Sequence, residues 1–133
     1  MGEKLAAVNR ALGPGKLLSR GSSFGFSYAD YRYHSGSATI EVGYGAANGA
    51  AAGPPVEVDV ISTSSRSATL YGQRLSDGLV ALTRVLRAHH WRIDWCRGRV
   101  FATLGPGGPG TGIEWNHGRL DKVQIDDGGA LDL

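Results

Sequence analysis

One cysteine, Cys96, is the whole thiol content of the 133 residues, so no intrachain disulfide can form and a reducing compartment is the natural setting. No apolar run reaches the ~18 residues a membrane-spanning helix needs. Residues Met1 to Leu12 lack the apolar stretch of a secretory leader. The expectation is a cytoplasmic protein without membrane association. Neither sign of charge dominates: 14 basic residues face 12 acidic ones, a formal net charge of +2. That is too little for general attraction to nucleic acid or anionic lipid. Lysine is scarce, limited to Lys4, Lys16 and Lys122, so the positive charge is mostly guanidinium.

Glycine, by contrast, is abundant at 21 residues and marks a chain with many turns. With 41% hydrophobic and 20% charged residues the composition is globular. The length suits a single domain over 1–133.

Leu5, Val8 and Leu12 have helical spacing, and Gly13-Pro14-Gly15 ends that short N-terminal helix. Phe24, Phe26 and Tyr28 then alternate on one face. Tyr31 and Tyr33 alternate out of phase with them, which predicts a turn or bulge at Ala29-Asp30. Ala38 to Tyr44 and Val56 to Val60 read as strands, with a small-residue loop over 45–55 between them. A short strand is expected near Thr69. Ser76 is a candidate N-cap for a helix over 76–90, with Leu79, Leu82 and Leu86 forming its apolar stripe. Trp91, Ile93 and Trp95 begin a run of four strands, broken by a glycine-proline loop at 105–112 and followed by a loose acidic tail over 126–133. Strand runs with short turns favour antiparallel pairing. The predicted fold is α+β: a two-layer sandwich, with a curved antiparallel sheet, the central helix on one face and the short N-terminal helix. The halves share a loose helix-then-hairpins order without a convincing duplication.

Several patterns resemble catalytic motifs without their context. Gly21-Ser22-Ser23-Phe24-Gly25 has nucleophile-elbow spacing, but an aromatic strand follows it where that motif needs a helix. Gly105, Gly107 and Gly110 match a dinucleotide-binding glycine pattern. Pro106 and Pro109 there offer no amide, and a strand follows. His89 and His90 are adjacent near a helix end, about 100° apart, and no zinc-ligand spacing includes them or Cys96. No cofactor and no metal is expected, and no catalytic residue is assigned.

Two regions carry binding chemistry. Arg84, Arg87, Arg92, Arg97 and Arg99 are interleaved with Trp91 and Trp95, and arginine and tryptophan are enriched at interface hot spots. Glu41, Glu57 and Asp59 alternate with apolar residues and could form an acidic face. The expected function is therefore a non-catalytic protein-binding module, of the kind that neutralises a toxin as an immunity protein or acts as a secretion chaperone. The expected partner is another protein, toxin-like or secreted. The partner-binding candidates are Arg84, Arg87, Arg92, Trp95, Arg97, Arg99, Glu41, Glu57 and Asp59. An alternative is a small-molecule binder or small enzyme. Its pocket would be lined by Phe24, Phe26, Tyr28, Tyr31, Tyr33, Trp91 and Trp95, with His34, His90 or Asp94 as acid-base groups. Single-stranded nucleic-acid binding through 84–99 ranks third, because the net charge is small and no known module is present.

Overall fold

In the computed structural model the described residues are 4–46, 53–106 and 108–126. The fold is α+β, with antiparallel strand pairs and two helices. The chain divides between Ile61 and Ser62 into two compact units.

The first unit runs α1 (Leu5–Leu12), β1 (Lys16–Ser23), β2 (Phe26–Ser35), β3 (Ala38–Ala46) and β4 (Pro55–Thr63), whose last two residues pass the division. The strands lie in the order β1-β2-β3-β4. Leu5, Val8 and Leu12 of α1 pack on a core of Tyr33, Val42, Tyr44 and Val58. The expected helical spacing is thus the packing face.

The predicted slip at Ala29-Asp30 is absent. Strand β2 passes through it, paired residue for residue with β3 from Tyr28↔Gly45 to Ser35↔Ala38. Tyr31 and Tyr33 sit on the core face, and Phe26 and Tyr28 belong to the opposite one, so aromatics on both faces mimic a change of phase. The irregularity lies across the hairpin, on β1. There the register shifts between Leu17 and Ser19 and leaves Leu18 as the extra residue. Strand β1 itself was not legible, because its residues are nearly all exposed and show no alternation.

Tyr33 and Tyr44 are both 1% exposed, and their hydroxyl oxygens are 2.7 Å apart. Tyr33 donates to Asn9 Oδ1 at 2.9 Å, so Tyr44 donates to Tyr33 in a relay that ties β3 through β2 to α1. The Tyr33 ring also lies against Gly15, where an added Cβ would come within 2.6 Å of it. Burial is the main cause of a Tyr44 phenol pKa far above the ordinary tyrosine value. The hydrogen bond to Tyr33 and the neighbouring Tyr33 and Tyr31 add to it.

The second unit runs β5 (Thr69–Leu70), β6 (Gln73–Arg74), a 3-10 turn (Leu75–Asp77), α2 (Leu79–Ala88), β7 (Arg92–Cys96), β8 (Arg99–Thr103), β9 (Gly110–Asn116) and β10 (Arg119–Asp126). The last four lie in the order β10-β9-β8-β7. Leu82 and Leu86 of α2 meet Trp91, Val100, Ala102, Ile113 and Val123 in one core. Ser76 is not the helix cap: it sits inside the 3-10 turn, and Gly78 caps α2 with φ at 90° and no side-chain bond. Asp126 belongs to β10 and is buried, accepting the Gly110 amide at 3.2 Å. The rest of the expected tail, and most of the 45–55 loop, lie outside the described residues.

Four hairpins turn on the pairs Phe24-Gly25, Tyr71-Gly72, Arg97-Gly98 and His117-Gly118, every member with positive φ. That is the signature of the two-residue turn whose twist matches that of the strands. Glycine fits its position without strain, whereas each first residue carries a Cβ into left-handed space.

Two outcomes follow for stability. Thr111 Oγ1 is buried without a hydrogen-bond partner among the described residues. Thr111→Val removes that uncompensated hydroxyl and is expected to stabilise by about 1 kcal/mol in urea unfolding. For Tyr44, the raised native pKa means the folded state keeps a proton that the unfolded chain loses above about pH 10. Its contribution is therefore complete below that pH and falls as pH rises beyond it. Tyr44→Phe is expected to flatten the alkaline limb of a stability-against-pH curve.

Candidate functional site

The β1–β2 hairpin collects large apolar side chains in the open. Phe24 at its tip is 97% exposed and Phe26 is 52% exposed. Leu17, Leu18 and Tyr28 are each more than a third exposed. Burying one such side chain is worth about 1.5–3 kcal/mol, so leaving five outside forgoes a sizeable stabilisation. Phe24 also stands at φ 50°, a left-handed conformation that a bulky aromatic enters only at a cost. Register explains the placement. Tyr28 pairs with Gly21 on one side and Gly45 on the other, so its neighbours cannot cover it, and its ring rests over Gly21. Among the hairpin's charges, Ser19 Oγ donates to Asp30 and Arg32 pairs with Glu41 at 2.7 Å.

The second unit carries a different kind of surface. Trp95 is 58% exposed and meets Trp115 edge to face, ring centres 5.0 Å apart. Leu120 pairs with Trp115 across β9–β10 and forms a wall of an open pocket of about 210 Å³. Arg66, Arg119, Ser64, Ser76 and Asp121 supply its polar lining. Trp91, expected in one alternating strand with Trp95, instead precedes β7 and is 6% exposed, and its Nε1 donates to Tyr71 Oη at 3.0 Å. The Tyr71 ring stacks on His89 at 3.8 Å.

The arginine segment does not form one patch. Arg84 and Arg87 are exposed on α2. Arg92 and Arg99 alternate with Ile93 and Val100, so they occupy the sheet face away from the core. There Arg92 pairs with Asp94 at 2.9 Å and Arg99 with Glu114 at 3.6 Å. Arg97 stands in a turn and Trp95 on the core-side face, near its edge-to-face partner. In the first unit Glu41 is paired with Arg32, Glu57 with Lys4 at 3.4 Å, and the Asp59 carboxylate lies beside Gly45. The seven aromatics weighed as a pocket lining are dispersed too: Tyr33 and Trp91 are core, while Phe24 and Phe26 face outward. Cys96 is exposed and unbridged, and no group of three metal-ligating side chains occurs among the described residues.

The exposed hairpin and the Arg66–Arg119 pocket were both missed by sequence reasoning. For the hairpin the one local signal was Gly25, a residue suited to positive φ directly after Phe24. The pocket joins residues more than 50 positions apart in sequence, and nothing local marks them.

No family model matches the chain, and no curated protein does. Among solved structures, its fold is similar to part of an extracellular protein containing an SCP domain from Bacillus anthracis str. Ames, with a TM-score of 0.53 and 10% identity. The match covers 96% of this chain and 44% of that one, so the chain spans less than half the length of that protein. At this identity the likeness is one of fold. No helix among the described residues is long and apolar enough to cross a membrane.

The two tryptophans should separate cleanly by experiment. Trp91→Ala is expected to cost about 3–5 kcal/mol in chemical denaturation, as a truncated core aromatic does. Trp95→Ala should cost no more than the ~0.5–1.5 kcal/mol of its ring contact, and should remove most of the iodide-quenchable fluorescence.

Proposed function

We propose that the protein is a non-catalytic protein-binding module whose contact surface is the β1–β2 hairpin. The observation that carries this reading is the exposure of Phe24 at the hairpin tip and of Phe26 and Tyr28 on one face beside it, with Leu17 and Leu18 exposed further along β1. Patches of this kind mark interaction sites, and a projecting aromatic is the usual anchor of one. The form it suits is a chaperone-like holder of an apolar segment of another protein. A toxin cap built on Glu41, Glu57 and Asp59 is less favoured, because Glu41 and Glu57 are engaged with Arg32 and Lys4. The exposed free thiol of Cys96 suits a reducing, cytoplasmic setting.

The test is affinity capture from the native host, with tagged full-length protein at native abundance. Phe24→Ser/Phe26→Ser is compared with wild type and with Arg84→Ala, circular dichroism checking the fold of each. One stoichiometric protein partner, held at moderate salt by wild type and Arg84→Ala but lost from the hairpin variant, is the expected result. A partner that the hairpin variant still holds, or a wild-type chain that elutes with no other protein, would overturn the reading.

A further inference from the structure

We propose that the end of the second unit carrying the turns Arg97-Gly98 and His117-Gly118 binds a small anionic molecule, its phosphate or carboxylate group held by Arg66 and Arg119. The pocket there, about 210 Å³, has room for such a group and a few attached atoms. Its lining combines the apolar Leu75 and Leu120 with two arginines, Arg66 and Arg119, two serines, Ser64 and Ser76, and one acid, Asp121.

The placement of two arginines on one hollow is the main argument. Arg32, Arg92 and Arg99 each have a carboxylate partner within 4.0 Å. Among the described residues Arg66 and Arg119 have none, although Asp121 lines the same pocket. A planar guanidinium offers paired donors that match a carboxylate or phosphate, and this hollow has two arginines among its lining residues. Asp121 is placed there by an irregularity of its own. Leu120 pairs with Trp115 and Lys122 with Glu114, so Asp121 is the extra residue of a bulge in β10. Bulges commonly re-aim a side chain at a site. One carboxylate against two guanidiniums keeps the hollow basic and limits the charge it accepts. Trp95 and Trp115, next to Leu120, offer an aromatic flank for the rest of the molecule. This site lies within the second unit and stands independently of the hairpin reading.

Isotope-labelled full-length protein titrated at constant ionic strength with inorganic phosphate, and separately with citrate, tests the proposal through amide shifts, with chloride as control. Saturable shifts at Ser64, Ser76, Gly118 and Arg119 are expected with at least one of the two anions. Arg66→Ala/Arg119→Ala should weaken binding about tenfold or more, since each replaces charge-assisted hydrogen bonds. Asp121→Asn should tighten it, and Arg84→Ala should leave it unchanged. Shifts that grow linearly without saturating, or that survive in the double arginine variant, would overturn the proposal. So would a response equal to that of chloride.

Discussion

The two-residue turns govern what the rest of the structure can do. Once Phe24-Gly25 and Arg97-Gly98 hold both residues in left-handed space, each hairpin has one register, and the register decides which face every side chain takes. In the first unit that puts Tyr33 and Tyr44 under α1 and turns Phe26 and Tyr28 outward. In the second it sends Val100, Ala102 and Ile113 beneath α2 and carries Arg92 and Arg99 to the other side. Core and surface are thus two results of one backbone condition. A slip of one residue would exchange them.

Much of the fold was readable because α2 and the later strands obey this alternation plainly. The stripe Leu79, Leu82 and Leu86 and the turns at Arg97-Gly98 and His117-Gly118 fall where periodicity predicts. The failures share a cause. Strand β1 buries almost nothing, so its residues Lys16 to Ser23 were under no pressure to alternate. Strand β2 carries aromatics on both faces, which periodicity alone reads as a break at Ala29-Asp30. Ser76 looked like a cap because its side chain is of the right type, but the positive φ of Gly78 closes a 3-10 turn first. The sites were less legible than the fold. Proximity along the chain brought Arg84 to Arg99 together on paper, whereas the fold puts Arg84 and Arg87 on α2, Arg92 and Arg99 on the sheet face away from the core, and Arg97 in a turn.

The units solve the same architectural problem with different chemistry. Each runs a helix, a three-residue link and four strands. The first fills its core with tyrosines and satisfies their hydroxyls internally, through the relay from Tyr44 to Tyr33 to Asn9. A buried phenol left unpaired would cost about 1–3 kcal/mol, so the relay preserves what the rings contribute. The second unit uses aliphatic side chains and one tryptophan, whose indole N–H reaches Tyr71 at the margin. Its ion pairs, Arg92 with Asp94 and Arg99 with Glu114, lie on the sheet face away from that core.

The extra residue in β1 bears on how such a surface survives in a crowded solution. An end strand that shows leucines is a template on which further strands could stack, copy upon copy. Leu18 interrupts the regular spacing of backbone donors and acceptors along that border, and Lys16 adds a charge to it. An incoming strand would lose its match after a few residues. The chain can therefore keep sticky side chains on display while denying them the continuous backbone seam from which fibres grow.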